Sequence, residues 1–169
     1  VDIVKLGFRE KLWLYKAHLW YSFLMQDFLN CYKYASKWVS LFQQYPNMIN
    51  LNPVFFLKGN NYLLESLFFI RNKEKFVQKL KIFNKITSDT NFPKDENVST
   101  LVFLYSNFHK INGHFIDGSF DDGLVLIPEI EIELHQFNNR IDPHHKMIFY
   151  YKFASLHFGA GNNKASIKY

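Results

Sequence analysis

The feature that most constrains the fold is a turn that recurs along the chain at nearly regular intervals. Four apolar segments each end at a polar or glycine residue, and a second amphipathic segment begins at once. The turn positions are Asn30, Asn72, Gly118 and Gly161, with spacings of 42, 46 and 43 residues. A tight turn between two helices makes them antiparallel neighbours. The spacing therefore predicts four helical hairpins in a row, the fourth one cut short.

Hydrophobic periodicity predicts helices through most of the chain. In "NCYKYASKWVSLFQQYP", residues 30–46, apolar side chains recur every three or four positions. The apolar band is wide enough to pack on two neighbouring helices, whereas a membrane-surface helix needs a strongly basic polar face. Asn30 is the expected N-cap of this helix and Pro46 its end. Asn52–Pro53 and Asp142–Pro143 are expected to start two further helices, the second of which stops near Gly159 and Gly161.

The segment "EIEIEL", residues 129–134, allows two interpretations. Its strict alternation is typical of a β-strand. However, Leu124, Ile127, Ile130 and Leu134 also lie at helical spacing, and no partner strand is evident elsewhere. We therefore predict a helix, with Pro128 near its first turns or at a kink.

Residues 30–46 resemble the second helix of a tetratricopeptide repeat, in which a turn residue, an aromatic residue, a small residue and a closing proline follow in order. Asn30, Tyr32, Ala35 and Pro46 occupy those places. "GSFDDGLVLIP" has Gly118, Phe120 and Gly123 in the same order, and "FGAGNNKASIKY" resembles the turn into a next unit at Gly161. The spacing exceeds the ~34 residues usual for that repeat.

This resemblance implies an all-α fold, a right-handed superhelix of antiparallel helical hairpins (a tetratricopeptide-like α-solenoid) with a concave inner face. We expect about seven helices plus a truncated eighth. They would form one helical-repeat domain over 1–169, with repeats at roughly 8–46, 52–88, 95–140 and 143–169. Because the chain starts at Val1 and stops within "KASIKY", we expect it to be a fragment of a longer protein.

The abundant aromatic residues are expected to pack between helices, because a single repeat cannot bury its apolar face alone. The chain holds 19 Phe, 10 Tyr and 3 Trp. We expect Trp38 above all to be buried, and Trp13 and Trp20 to pack as well. Cys31 is the one cysteine, so no internal disulfide can form, which fits a reducing compartment such as the cytoplasm. No apolar run approaches the length that crosses a bilayer.

The net charge of +5 is distributed unevenly. Residues 1–86 carry thirteen Lys and Arg against five Asp and Glu, whereas residues 87–169 carry seven against ten. Sequence-reading nucleic-acid sites usually use arginine, and here only three of the basic residues are arginines. A nucleic-acid partner is therefore not expected, and the lysines are interpreted as a solvated surface.

No group of residues in the sequence has the spacing of a catalytic, cofactor or metal site. His144 and His145 are adjacent and would diverge on a helix, and His109 and His114 have no cysteine or carboxylate at ligand spacing. The acidic residues near Gly118 lack the order of a calcium loop. Cys31 is expected to be a small buried hydrophobe. We therefore predict a protein that is not an enzyme and that needs no cofactor or metal.

Two functions remain as hypotheses. The first is a scaffold that binds a protein or peptide on its concave surface, with Lys33, Lys37 and Lys58 as candidate charge contacts. The alternative is a peptide-sensing module of a larger signalling or transcription-regulating protein. The helix beginning at Pro143 has more apolar surface than one neighbour can cover, so self-association through this C-terminal repeat is also expected if nothing else covers it.

Overall fold

The computed structural model describes residues 3–169, and within that range the regular structure is entirely helical. The chain divides into two compact units, Val1–Lys94 and Asp95–Tyr169. The all-α prediction is confirmed. Whether the helices form one superhelical repeat domain over 1–169 stays a prediction.

The first unit contains a short 3-10 helix, Ile3–Lys5, and five α-helices. Their bounds are α1 Phe8–Leu24, α2 Phe28–Gln44, α3 Asn47–Leu51, α4 Pro53–Phe69 and α5 Lys73–Thr87. Helix α2 packs against both α1 and α4, and α5 packs against α4. The core is rich in aromatic residues and leucine. Its fully buried members include Leu19, Trp38, Phe42, Leu57, Leu63, Leu67, Phe76 and Phe83.

The second unit contains five α-helices around a phenylalanine-rich core. Their bounds are α6 Glu96–Asp117, α7 Phe120–Leu124, α8 Ile127–Gln136, α9 Pro143–Gly159 and α10 Asn163–Ser166. Helix α9 packs against α6 and α7, and the short α10 packs against α9. Phe149 and Phe153 of α9 are fully buried, and the Phe149 ring lies 4.3 Å from that of Phe108.

Four helix–helix turns share one backbone geometry. Each contains a residue in the left-handed conformation, with φ of 54° at Gln26, 53° at Arg71, 68° at Gly118 and 76° at Gly161. The next residue always donates its N–H to the carbonyl five positions back, as in a Schellman motif: Asp27 to Ser22, Asn72 to Leu67, Ser119 to His114 and Asn162 to His157. We call Gln26, Arg71, Gly118 and Gly161 the turn residues.

Equivalent positions around the turn residues are buried in the first three hairpins. Three positions can be counted from each turn residue: fourteen residues before it, seven residues before it and twelve residues after it. At all three the side chains are apolar and at most 3% exposed. These positions hold Leu12, Leu57 and Leu104; Leu19, Leu64 and Ile111; and Trp38, Phe83 and Ile130. Each of these three hairpins therefore buries matching faces on the two sides of its turn, and the three turn residues are 45 and 47 residues apart.

The predicted position of the first turn is wrong by four residues. Asn30 lies inside the first turn of α2 and donates its backbone N–H to the carboxylate of Asp27, which is the actual N-cap (3.0 Å). Asp27 is preceded by the left-handed Gln26 rather than by glycine, so the usual glycine signal is absent there. At the second turn Asn72 is the N-cap, one residue after Arg71.

The ambiguous segment "EIEIEL" lies in helix α8, so the helical interpretation is confirmed, and Pro128 lies in its first turn. The structure differs in one respect, because residues 120–136 form two helices rather than one. At the break, Val125 and Leu126 donate to carbonyls only three residues back. The short helix α3 after Pro46 was also not predicted.

Candidate functional site

A row of aromatic side chains joins α1 to α4 in the first unit. Trp13 of α1 meets Phe55 of α4 edge-on, with ring centroids 5.8 Å apart. Trp20 of α1 meets Tyr62 of α4 in the same way at 5.9 Å. Helical spacing produces this row, because positions 13 and 20, like 55 and 62, are seven residues apart and lie on one helix face. We call these four side chains, together with Lys16, the aromatic face.

The aromatic face is open to solvent. Trp13 is 53% exposed and Trp20 is 48% exposed. Tryptophan is on average a highly buried residue, so two exposed tryptophans are unusual. Exposed apolar patches on a protein surface commonly mark interaction sites. The expected packing of these two tryptophans is thus only partial, since each indole contacts α4 while about half of its surface stays exposed.

Trp38 of α2 packs against Phe55 and Tyr62 of the aromatic face on their buried side. Its side chain is fully buried, as predicted, and its indole N–H donates to the carbonyl of Phe55 at 3.1 Å. Its ring centroid lies 6.0 Å from that of Tyr62. A Cβ added at Gly59 would come within 2.7 Å of two indole atoms, so the indole occupies the space that only a glycine leaves open. The base of the face is therefore closely packed.

Lys16 places a positive charge at the aromatic face. Its Nζ lies 4.4 Å from the centroid of the Trp13 ring and 5.9 Å from that of Phe55, within cation–π range. Burial raises the pKa of the Tyr62 hydroxyl, with a further contribution from Glu65, so Tyr62 is a neutral hydrogen-bonding group at ordinary pH. The face thus offers aromatic stacking surfaces and a cation.

The three lysines predicted to contact a partner lie at two places. Lys33 and Lys37 of α2 both lie beside Tyr34, with Nζ 5.4 Å and 5.6 Å from its ring centroid. Lys58 is exposed on α4 and does not belong to that pair. The sequence interpretation missed Lys16, for which the signal was its position three residues after Trp13 on the same helix face.

A polar cluster joins α6 to α9 in the second unit. Lys152 of α9 donates to the side-chain oxygen of Asn112 on α6 at 2.5 Å, and its Nζ lies about 6 Å from the rings of Phe108 and Phe115. Asn112 also contacts the ring of His109, which is buried. Burial, aided by the charge of Lys152, lowers the pKa of His109 to about 3. His109 is therefore neutral at ordinary pH.

The remaining candidate residues do not assemble into a reactive site. Among residues 3–169, no group of three His, Cys, Asp or Glu side chains is placed to hold a metal ion. Cys31 is fully buried, as predicted, and burial raises the pKa of its thiol to about 11. A thiol with that pKa is a poor nucleophile at neutral pH.

Within the described range, none of the helices combines the length and the hydrophobicity needed to span a lipid bilayer. Comparisons of the chain with protein-family models, curated proteins and solved structures gave no match. The resemblance to tetratricopeptide repeats therefore stays a prediction.

Proposed function

We propose that the chain is a non-catalytic scaffold that binds a peptide segment of another protein on the aromatic face. The observation that carries the proposal is the pair of half-exposed tryptophans, Trp13 and Trp20, held seven residues apart over a packed base. Tryptophan is enriched among residues that dominate binding energy at protein interfaces. The proposal also agrees with the repeat-like hairpins, since such arrays present extended binding surfaces.

Charge indicates the chemistry of the peptide. The first unit carries fourteen Lys and Arg against six Asp and Glu, a net charge of +8. Lys16 lies within the aromatic face itself, and Lys58 is exposed on the same helix as Phe55 and Tyr62. Complementary charge steers association and excludes wrong partners. The expected ligand is an acidic segment with apolar or aromatic residues spaced to reach both tryptophans.

Selection from a peptide library displayed on phage, using the full chain as bait, tests the proposal. Selected peptides should combine acidic and aromatic residues. Binding should shift tryptophan emission to shorter wavelength as Trp13 and Trp20 leave water. Trp13→Ala should weaken binding by more than about 1 kcal/mol, as interface anchors do.

Tyr150→Ala is the matched control, because Tyr150 is an aromatic residue that is 42% exposed in the other unit. It should leave the affinity unchanged. Lys16→Glu should weaken binding of acidic peptides and reduce its dependence on salt. If selected peptides bind the Trp13→Ala and Trp20→Ala variants as tightly as the parent, the aromatic face is not the binding site.

A further inference from the structure

Within each unit, the first helices of successive hairpins share one contact register. Ten residues before the turn residue, Lys16 of α1 reaches Phe55 of α4, and Phe108 of α6 stacks on His145 of α9 at 6.1 Å. Phe55 and His145 both lie sixteen residues before their own turn residues, Arg71 and Gly161. The same two positions thus meet in both units.

A second pair of positions repeats the register. Three residues before the turn residue, Phe23 of α1 contacts Tyr62 of α4 at 5.9 Å, and Phe115 of α6 lies 5.8 Å from the Nζ of Lys152 on α9. Tyr62 and Lys152 are both nine residues before their turn residues. Positions ten and three before the turn therefore face a following first helix, and positions sixteen and nine before it face a preceding one.

On α9 the forward-facing positions are apolar and uncovered. Tyr151, ten residues before Gly161, is 72% exposed, and Phe158, three residues before it, is 70% exposed. Helix α10 and the ring of Tyr169 cover a different side of α9, where Tyr169 lies against Tyr150 and Phe153. We call Tyr151 and Phe158 the tail face.

On α1 the backward-facing positions are likewise uncovered. Glu10 and Ala17, sixteen and nine residues before Gln26, are exposed. Five residues before the turn residue, Ser66 and Leu156 are fully buried, whereas the equivalent Tyr21 is 63% exposed. We call Glu10, Ala17 and Tyr21 the head face.

We propose that the tail face of one molecule binds the head face of a second copy of this chain, in the register seen between α1 and α4 and between α6 and α9. In that register Phe158 lies against Ala17, where there is room for its ring, and Tyr151 lies near the carboxylate of Glu10. The two molecules use different surfaces, so the contact is heterologous.

Charge selects this arrangement over the symmetric ones. The first unit carries +8, and the second carries six Lys and Arg against nine Asp and Glu, which is −3. Head-to-tail association therefore brings opposite charges together, whereas head-to-head association brings two strongly basic units together. The inference concerns exposed faces of α1 and α9 and does not depend on peptide binding at the aromatic face.

Sedimentation velocity over a range of protein concentrations tests the inference. The average mass should rise from 20.2 kDa with concentration and fall again at high salt, which screens the attraction. Phe158→Asp should block the tail and Tyr21→Asp the head, and each variant alone should be monomeric. Because each retains the face that the other lacks, an equimolar mixture should form a discrete dimer. Val77→Asp, at a residue 52% exposed on α5, should associate like the parent.

Circular dichroism would detect a variant that fails to fold, and two further variants can then be used in its place. Tyr151→Asp replaces the tail variant, and Ala17→Arg replaces the head variant without disturbing helix propensity much. A parent that is monomeric at every concentration overturns the inference. A mixture of folded head and tail variants that stays monomeric also overturns it. A Tyr21→Asp variant that still dimerises would overturn it as well, because that result would mean a symmetric tail-to-tail contact.

Discussion

The contact between Trp38 and Gly59 predicts that the effect of Gly59→Ala on stability changes sign when Trp38 is replaced by alanine. An alanine Cβ at position 59 would lie 2.7 Å from two atoms of the Trp38 indole, well inside van der Waals distance. The ring cannot easily move away, because it is fully buried and its N–H is bonded to the Phe55 carbonyl. Gly59→Ala should therefore incur an overpacking cost of roughly 1–3 kcal/mol.

Against this cost stands the better helix propensity of alanine, about 1 kcal/mol over glycine in a helix interior. In the parent the two effects leave a net destabilisation of up to about 2 kcal/mol. Trp38→Ala alone should cost about 3–5 kcal/mol, since it removes a large buried ring. Once the ring is absent, Gly59→Ala should stabilise the protein by about 1 kcal/mol. The coupling energy of the pair is therefore about 1–3 kcal/mol.

Urea unfolding of the four proteins of this double-mutant cycle, followed by tryptophan fluorescence, measures the coupling. All three tryptophans lie in the first unit, so the signal reports on that unit, and Trp13 and Trp20 remain in the Trp38 variants. The exposed neighbour Lys58, changed to Ala and to Gly, calibrates the helix-propensity term on the same helix. A Gly59→Ala effect that is the same with and without Trp38 would refute the packing argument.

Three other predictions concern the turns, a buried histidine and the cysteine. Arg71→Gly should stabilise the chain by about 1 kcal/mol in a thermal melt, because glycine adopts the left-handed conformation without strain. Gly118→Ala should destabilise it by a similar amount, and a Cβ at position 118 would meet no atom within 4 Å, so the backbone conformation alone accounts for the effect. The pKa of His109 is lower in the folded state (about 3) than in the unfolded state (6.5), so the stability that the neutral histidine contributes is complete above pH 6.5. This contribution should decline as the pH falls towards 3. His109→Leu should flatten that part of the plot of stability against pH, whereas His135→Gln should not. The thiol of Cys31 should react with a thiol reagent only after denaturation, and rapid reaction of the native protein would contradict its burial.

Much of the fold could be predicted from the sequence, because the strongest signals are local. The apolar periodicity predicted the long helices, and the Asn52–Pro53 and Asp142–Pro143 pairs correctly marked two helix starts. Glycine marked the turns at Gly118 and Gly161. The first turn was misplaced because its left-handed residue, Gln26, has no recognisable signal in a single sequence.

The candidate site was harder to predict, because it depends on contacts between helices distant in the chain. The sequence analysis expected Trp13 and Trp20 to pack between helices but did not show that about half of each indole stays exposed. Lys33 and Lys37 were chosen for charge alone, and the structure places them beside Tyr34. Lys16 becomes noticeable only when the Phe55 ring is in position beside Trp13.

The location of the Trp38 partner groups also has a consequence for synthesis of the chain. The α1–α2 hairpin can close as soon as Gln44 has left the ribosome, since its contacts are local and local contacts form rapidly. Trp38, however, donates to Phe55 and packs against Gly59, both of which are translated later. A nascent chain paused between α2 and α4 would expose this large indole to solvent, and partly synthesised chains with exposed apolar surface are the species on which chaperones act.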